Sequence, residues 1–179
     1  MLNFVKLEKE HLQLVLDWRT RQDITRYMIT DIEYNMEKHI QWYEQISINK
    51  TCRYWIINYK DNPVGLVSLK KIDWEHKYCY GGYYIGEQVH RNRLGGLVPL
   101  CLLNYIFIEL KLHKHIAEIL SENKQSLAMH RSIGYKIVGT FKDHVRKNDL
   151  WNDMVVLEFI SNNWEKLQDK YSKYMVEFE

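Results

Sequence analysis

The chain's chemistry-bearing residues gather at two turns between residues 80 and 135, where it reads strand, turn, helix, strand, turn, helix. His90-Arg91-Asn92-Arg93-Leu94-Gly95-Gly96 is a basic turn closed by two glycines. It lies between an aromatic strand over 80–86 and an apolar helix over 97–110. A strand feeding such a turn and then a helix makes an anion site, where free N–H groups and the positive end of the helix dipole converge. Glycines let a bulky phosphate approach the backbone, and Arg91 and Arg93 can neutralise a pyrophosphate. The alternative is a surface turn with two solvated arginines, since a glycine pair alone is a weak signal.

These turns need a sheet to hold them. Alternation and β-branched or aromatic content predict strands over 3–7, 53–59, 64–72, 78–86, 115–120, 137–145 and 151–159. Helical spacing predicts a helix over 8–19 with Leu12, Val15 and Leu16 inward. It predicts a second helix from an Asn35 cap through Ile46, with Ile40, Tyr43 and Ile46 as its inner face. A helix over 123–132 is closed by Gly134-Tyr135, and the tail over 162–179 reads as a charged amphipathic helix. Without repeats, low-complexity tracts or linkers, residues 1–179 read as one α/β domain with a mixed sheet.

Asn123-Lys124-Gln125-Ser126-Leu127-Ala128-Met129-His130-Arg131-Ser132-Ile133-Gly134-Tyr135 resembles the second cofactor motif of the GCN5-related N-acetyltransferases (GNAT). The turn from Arg91 to Gly96 resembles that family's pyrophosphate loop, with Leu94 standing where the first glycine is usual. The resemblance implies a GNAT fold: about seven strands, splayed between the fourth (80–86) and the fifth (115–120). Acetyl-CoA would be the co-substrate, with no metal. Its pantetheine would lie between the splayed strands like an added strand, with Gly81 and Gly82 forming a bulge that opens the wedge. A backbone N–H near Tyr83, Tyr84 or Ile85 would meet the thioester carbonyl. Arg91, Asn92, Arg93, Leu94, Gly95 and Gly96 would wrap the phosphates, and Asn123 and Ser126 would complete the cofactor site.

The same resemblance implies amine acylation, which needs a base and an acid. His130 occupies the position of the family's usual tyrosine acid. Glu118 and Glu122 are the candidate bases. Glu118 is the only acid within the second core strand, so burial could raise its pKa; the alternative is a carboxylate paired on the sheet face. Ser68 could relay a proton through water. His113 and His115 lack the further ligands a metal site needs.

The order and spacing of Val15-Leu16-Asp17-Trp18-Arg19, Arg26-Tyr27-Met28, His39-Ile40-Gln41-Trp42 and Gly65-Leu66-Val67-Ser68-Leu69 resemble a narrower branch of the family. That branch serves pseudaminic acid biosynthesis by acetylating the 4-amino group of a UDP-linked amino-dideoxy sugar. By position, Arg19, Met28, Trp42, Tyr80 and Glu118 would line the nucleotide-sugar pocket, with Ser68 and His130 beside the reacting groups. Arg19 and Arg26 can hold a diphosphate, and Trp18, Tyr27, Trp42 and Trp74 offer faces to uracil or the sugar methyl. Three other readings stay open: an acetyltransferase of peptide or ribosomal-protein N-termini or of another small amine, a non-catalytic acyl-CoA-binding domain, and a plain α/β interaction module.

Bulk composition narrows the field. The chain is 179 residues long, 46% apolar and 27% charged, with net charge +2. That suits a globular domain with a small-molecule partner and gives no footprint for nucleic acid or membrane. Three scattered cysteines, with no secretory leader, lead to the expectation of a reduced cytoplasmic protein. Assembly is left open between monomer and homodimer.

Overall fold

A computed structural model of the chain describes residues 2–172, 176, 178 and 179. Among these residues seven strands form one sheet: β1 (Leu2–Lys6), β2 (Arg53–Tyr59), β3 (Asn62–Asp73), β4 (Tyr78–Ile85), β5 (Lys114–Leu120), β6 (Lys136–Lys147) and β7 (Leu150–Ile160). Their order is β1-β2-β3-β4-β5-β7-β6, and only the β4–β5 pair is parallel. The helices are α1 (Leu12–Thr20), α2 (Gln22–Thr25), α3 (Met36–Ile48), α4 (Arg91–Leu94), α5 (Leu97–Asn104), α6 (Lys124–Ile133), α7 (Ser161–Glu165) and α8 (Gln168–Tyr171). The fold is the mixed α/β architecture that the sequence led us to expect.

Side chains alternate across the sheet, so each strand feeds two cores. Trp55, Ile57, Val67 and Leu69 join Val98, Leu102, Ile106 and Trp164 on the α5 face. Ile56 and Leu66 join Val15, Trp18 and Tyr43 under α1 and α3. Trp18 is 2% exposed, and a Cβ on Gly86 would lie 2.4 Å from its ring. Truncating so buried an indole costs about 3–5 kcal/mol. The expected cap and stop are present, with Asn35 Oδ1 accepting from Lys38 N and Gly134 ending α6 at φ 116°, and Asn123, expected only at the cofactor site, also caps α6, its Oδ1 accepting from Ser126 N.

Several expectations need correction. On α3 it is His39 and Tyr43 that are buried, while Ile40 is exposed; the helix is rotated to bring its histidine against the sheet side. Gly81 and Gly82 form no bulge. They pair in regular register with Leu69 and Ser68, and the irregularity lies between Lys70 and Asp73, where Lys71 takes φ 48°. The long apolar helix changes pitch, so that α5 gives way to a π-helix over Tyr105–Glu109 closed by Leu110 N donating to Tyr105 O. The first helix begins as a 3₁₀ turn, Lys9–His11, and the basic turn contains the short helix α4. The tail is not one helix. After α8, Phe178 stacks on Phe4 at 4.1 Å and bridges it in parallel, drawn into an aromatic slot with Trp55 and Tyr105. The part of the expected tail helix over 173–175 and at 177 lies outside the described residues.

Gly81 and Gly82 should behave differently when changed to alanine. A Cβ on Gly81 would lie 2.7 Å from His115 Nε2 and 2.9 Å from both Leu69 Cδ2 and Ser68 O, whereas on Gly82 it meets nothing within 4 Å. Gly81→Ala should therefore cost about 1–3 kcal/mol, about 2–4 °C per kcal/mol for a chain of this size. Gly82→Ala should leave the melting temperature unchanged. Thermal melts of the two variants check this.

Candidate active site

The site starts where β4 and β5 part. They pair only at Tyr78↔Lys114, Cys79↔His115 and Tyr80↔Ile116. β4 then continues on β3 to Ile85, and β5 continues on β7 to Leu120. Between them opens a cavity of about 1060 Å³, lined on one side by residues 80–85 and on the other by 116–119. Past Tyr80, backbone N–H and C=O groups aimed across the gap have no strand to meet, so an extended polar chain can take their place.

One end of the cavity meets the basic turn. Arg91 lines it, but Arg91 Nε donates to Ile85 O (3.0 Å) and Nη2 to Asp23 Oδ2 (2.5 Å). Asp23 is held on its other side by Arg21, whose Nη2 also donates to Gly86 O at 2.7 Å. The hydrogen bonds from Arg21 and then Arg91 hold the Asp23 carboxyl well below the usual carboxylate range. Arg91 thus braces the turn rather than standing free for a phosphate. Arg93 points elsewhere, its guanidinium 5.3 Å from the Tyr59 ring, and Leu94 is fully buried in the core. Neither lines the cavity, because the helical turn of α4 rotates them outward and inward respectively. Asn92, Gly95 and Gly96 do line it. A Cβ on Gly96 meets nothing within 4 Å, so the start of α5 is open to a ligand. The Tyr83 hydroxyl donates to Gly95 O and ties turn to strand.

On the α6 side, Asn123, Ser126 and His130 line the cavity. Asn123 acts as the cap. His130 Nδ1 is 2.8 Å from Ser126 O and 3.3 Å from Ser126 Oγ, and its ring packs edge-on against Tyr135 at 4.9 Å. The Tyr135 hydroxyl is 2.7 Å from His115 Nδ1. Burial lowers the His130 pKa, opposed by the Ser126 hydrogen bond, and it drives His115 down to about 3.

The opposite face of the sheet carries a row of polar groups. Tyr54 pairs with Ser68, and Ser68 with Gly82. Two residues past Tyr80↔Ile116, Glu118 faces Gly82 across the gap. Ser68 and Glu118 therefore flank an opening that lacks a side chain. Glu122 is not among the lining residues. Met28, Trp42 and Tyr80 complete the wall on this face. Trp18 is core, and Trp74 lies outside the cavity near Arg53.

Above this row, three residues present buried polar atoms without partners: Arg19 Nη1, His39 Nε2 and Tyr84 Oη. Arg19 Nη2 donates to Thr30 O (3.0 Å) and lies 3.3 Å from Thr30 Oγ1, leaving the other edge bare. Burial lowers the Arg19 pKa. Burial, aided by the Arg19 charge, lowers that of His39, and burial raises that of Tyr84. The three interact electrostatically and line the same cavity. His39 stacks on Trp42 at 4.8 Å. Sequence reasoning gave Tyr84 a part in the cofactor site through the backbone N–H groups over 83–85, and its side chain joins Trp18 on the opposite face. His39 went unassigned, although its three-residue spacing from Trp42 was the available signal.

Lys147, near the end of β6, closes this side. It is 8% exposed, and Nζ reaches Thr25 O (2.7 Å), Met28 O (2.7 Å) and Asp31 Oδ1 (2.8 Å). Burial pushes the Asp31 carboxyl up, but hydrogen bonds from Lys147 and Thr25 more than reverse this. Lys147 and Arg19 thus pin the segment over 25–31 across the cavity. No sequence motif pointed to Lys147.

Comparison with known proteins agrees with this geometry. Residues 1–136 match the family described as an acetyltransferase (GNAT) domain. The chain is 21% identical over 141 residues to the acetyltransferase PseH of Campylobacter jejuni subsp. jejuni, from each of two strains, covering 79% of this chain and 87% of that protein. The crystal structure of spermidine N-acetyltransferase from Vibrio cholerae, in complex with CoA and spermine, is similar with TM-score 0.86 at 18% identity, covering 92% of this chain and 98% of that one. At such identity the likeness is one of fold.

Lys147→Met should release the segment over 25–31. Leaving Asp31 and two carbonyls without their buried partner costs about 1–3 kcal/mol. Hydrogen exchange read by mass spectrometry should speed up over that segment and stay unchanged over β3 and β7.

Proposed function

Because this chain belongs to the acetyltransferase (GNAT) family, which uses acetyl-CoA, we propose that it acetylates the 4-amino group of a UDP-linked amino-dideoxy sugar, in a pathway of the pseudaminic acid type. The donor's requirements fit the residues present. Bare strand edges along the gap suit pantetheine, and the open backbone at Gly96 suits phosphate. Bound there, acetyl-CoA supplies an activated acyl group. The chain's own residues hold the acceptor: Glu118 and Ser68 flank the amine, the backbone over 83–85 offers N–H groups to the gap, and His130 exchanges a proton.

The observation that carries the acceptor class is the charge state of the cavity. Its acids are mostly already matched: Asp23 to Arg21 and Arg91, Asp31 to Lys147, Glu33 to Lys38 at 2.6 Å. Glu118 alone of the lining acids has no hydrogen bond or ion pair among the described residues, and the charge that acts on it is that of Lys70, which lines the same cavity. The bare guanidinium edge of Arg19, with His39 and Tyr84, awaits an acceptor of hydrogen bonds. A carboxylate without a direct partner, the bare edge of Arg19 and the charge of Lys70 beside them suit a molecule with one amine and an anionic arm. Such an acceptor is a nucleotide-linked amino sugar rather than a polyamine, which would need several free carboxylates. The 21% identity to PseH supports the same reading. The three scattered cysteines, with no Cys-x-x-Cys pair, fit a cytoplasmic enzyme, and residues 1–179 are taken as one catalytic domain.

Mass spectrometry of products from acetyl-CoA and a panel of UDP-4-amino sugars, polyamines and N-terminal peptides tests this. Acetylated UDP-sugar is expected, and efficient turnover of spermidine or peptides with none of the sugars would sink the proposal. Arg19→Ala should raise KM for the nucleotide sugar about 10–100-fold, the worth of a charge-assisted hydrogen bond, and leave KM for acetyl-CoA unchanged. Glu118→Gln, which removes the carboxylate that orients the amine, should lower kcat/KM about 10²-fold.

A further inference from the structure

The structure settles which proton His130 can move. A backbone carbonyl only accepts, so the 2.8 Å contact from Nδ1 to Ser126 O places the ring's proton on Nδ1. In the neutral ring Nε2 is then a bare lone pair, with no partner among the described residues, on a side chain that lines the cavity. A neutral tyrosine at this position has a proton to give, but its oxygen is too weak a base to take one. A histidine held in this tautomer begins as an acceptor.

We propose that His130 is a single proton shuttle, acting first as base and then as acid, rather than an acid working beside a separate base. This rests on the acetyl-transfer reading above. As the acceptor's nitrogen lone pair forms the new C–N bond, Nε2 takes one of that nitrogen's protons, and the ring becomes imidazolium. Nδ1–H stays on Ser126 O throughout. As the C–S bond breaks and its electron pair leaves with sulfur, the imidazolium returns the same proton from Nε2 to that sulfur. Amine and thioester become amide and thiol, and the ring is left as it began. Glu118 then only orients the amine.

The surroundings suit this cycle. His130 is 6% exposed, and the groups packed on it, Tyr135 and beyond it His115, are neutral. Burial favours the uncharged ring at rest, while the Ser126 carbonyl steadies the transient cation. Tyr135, itself anchored to His115, is a positioning residue that fixes the ring's tilt.

The test has a part that needs no turnover. In protein labelled with ¹⁵N-histidine, with the signal assigned by its loss in His130→Gln, the free protein at neutral pH should show Nδ1 protonated and Nε2 bare. An Nε2–H tautomer, or a ring already charged at neutral pH, overturns the shuttle whatever the acceptor proves to be. On whichever amine turns over, kcat/KM should fall on the acid side, with an apparent pKa below the ordinary histidine value of about 6.5. His130→Gln and His130→Tyr should both lose about 10²–10⁴-fold. A tyrosine variant near wild-type turnover would show that donation alone suffices and would overturn the proposal. If the tautomer is as expected but only polyamines turn over, the acceptor class fails and the shuttle stands.

Discussion

The molecule depends on a break in its own sheet. Parallel pairing between β4 and β5 ends after Tyr80↔Ile116, leaving polar backbone on both strands without strand partners. Such groups are costly when buried. They are tolerated because each strand is held from its other side: β4 by β3 from Gly65 to Lys70, and β5 by β7 along its whole length. The gap is therefore held open by hydrogen bonds outside it, and a ligand that fills it completes a sheet instead of deforming one.

The two ends of the gap are linked by ionic bridges that cross the fold. Asp23, in α2 on the side of the buried Arg19, joins Arg21 to Arg91 of the basic turn. Arg21 and Arg91 also grip the carbonyls of Gly86 and Ile85 at the end of β4. The turn beside α5 and the segment that covers the opposite face thus share one anchor. Arg19 and Lys147 hold that segment from below and from β6. Arg21 and Arg91 thus stiffen the scaffold, and backbone N–H groups are what the turn leaves open to an anion.

Most of the scaffold was legible from residue types. Strand alternation, the Asn35 cap, the Gly134 stop and the strand–turn–helix rhythm of 80–135 are local signals, and local physics decides them. Register, rotation and charge pairing are decided by distant partners. Nothing near Arg91 in sequence announces that Asp23 will claim it, and nothing near Lys147 announces Thr25, Met28 and Asp31. The rotation of α3 that buries His39 instead of Ile40 depends on what faces it across the sheet. The tail failed for the same reason: its charges suggested a helix, while Phe178 answers to an aromatic slot made by Phe4, Trp55 and Tyr105.

The buried edge of Arg19 is the feature hardest to explain by folding alone. A guanidinium taken out of water with one edge unmatched is destabilising by an amount comparable to the buried groups it sits among. Folding has an easy remedy in a nearby carboxylate, and the cavity contains several. Yet Asp23, Asp31 and Glu33 are each matched elsewhere, and Arg19 is given only the Thr30 oxygens. Its remaining edge, with His39 Nε2 and Tyr84 Oη, stays bare in a region of low dielectric, where charge complementarity is strongest. A cationic ligand would meet repulsion there, and an anionic one would relieve the mismatch. On the function proposed above, the same arrangement that costs stability in the free protein discriminates between acceptors.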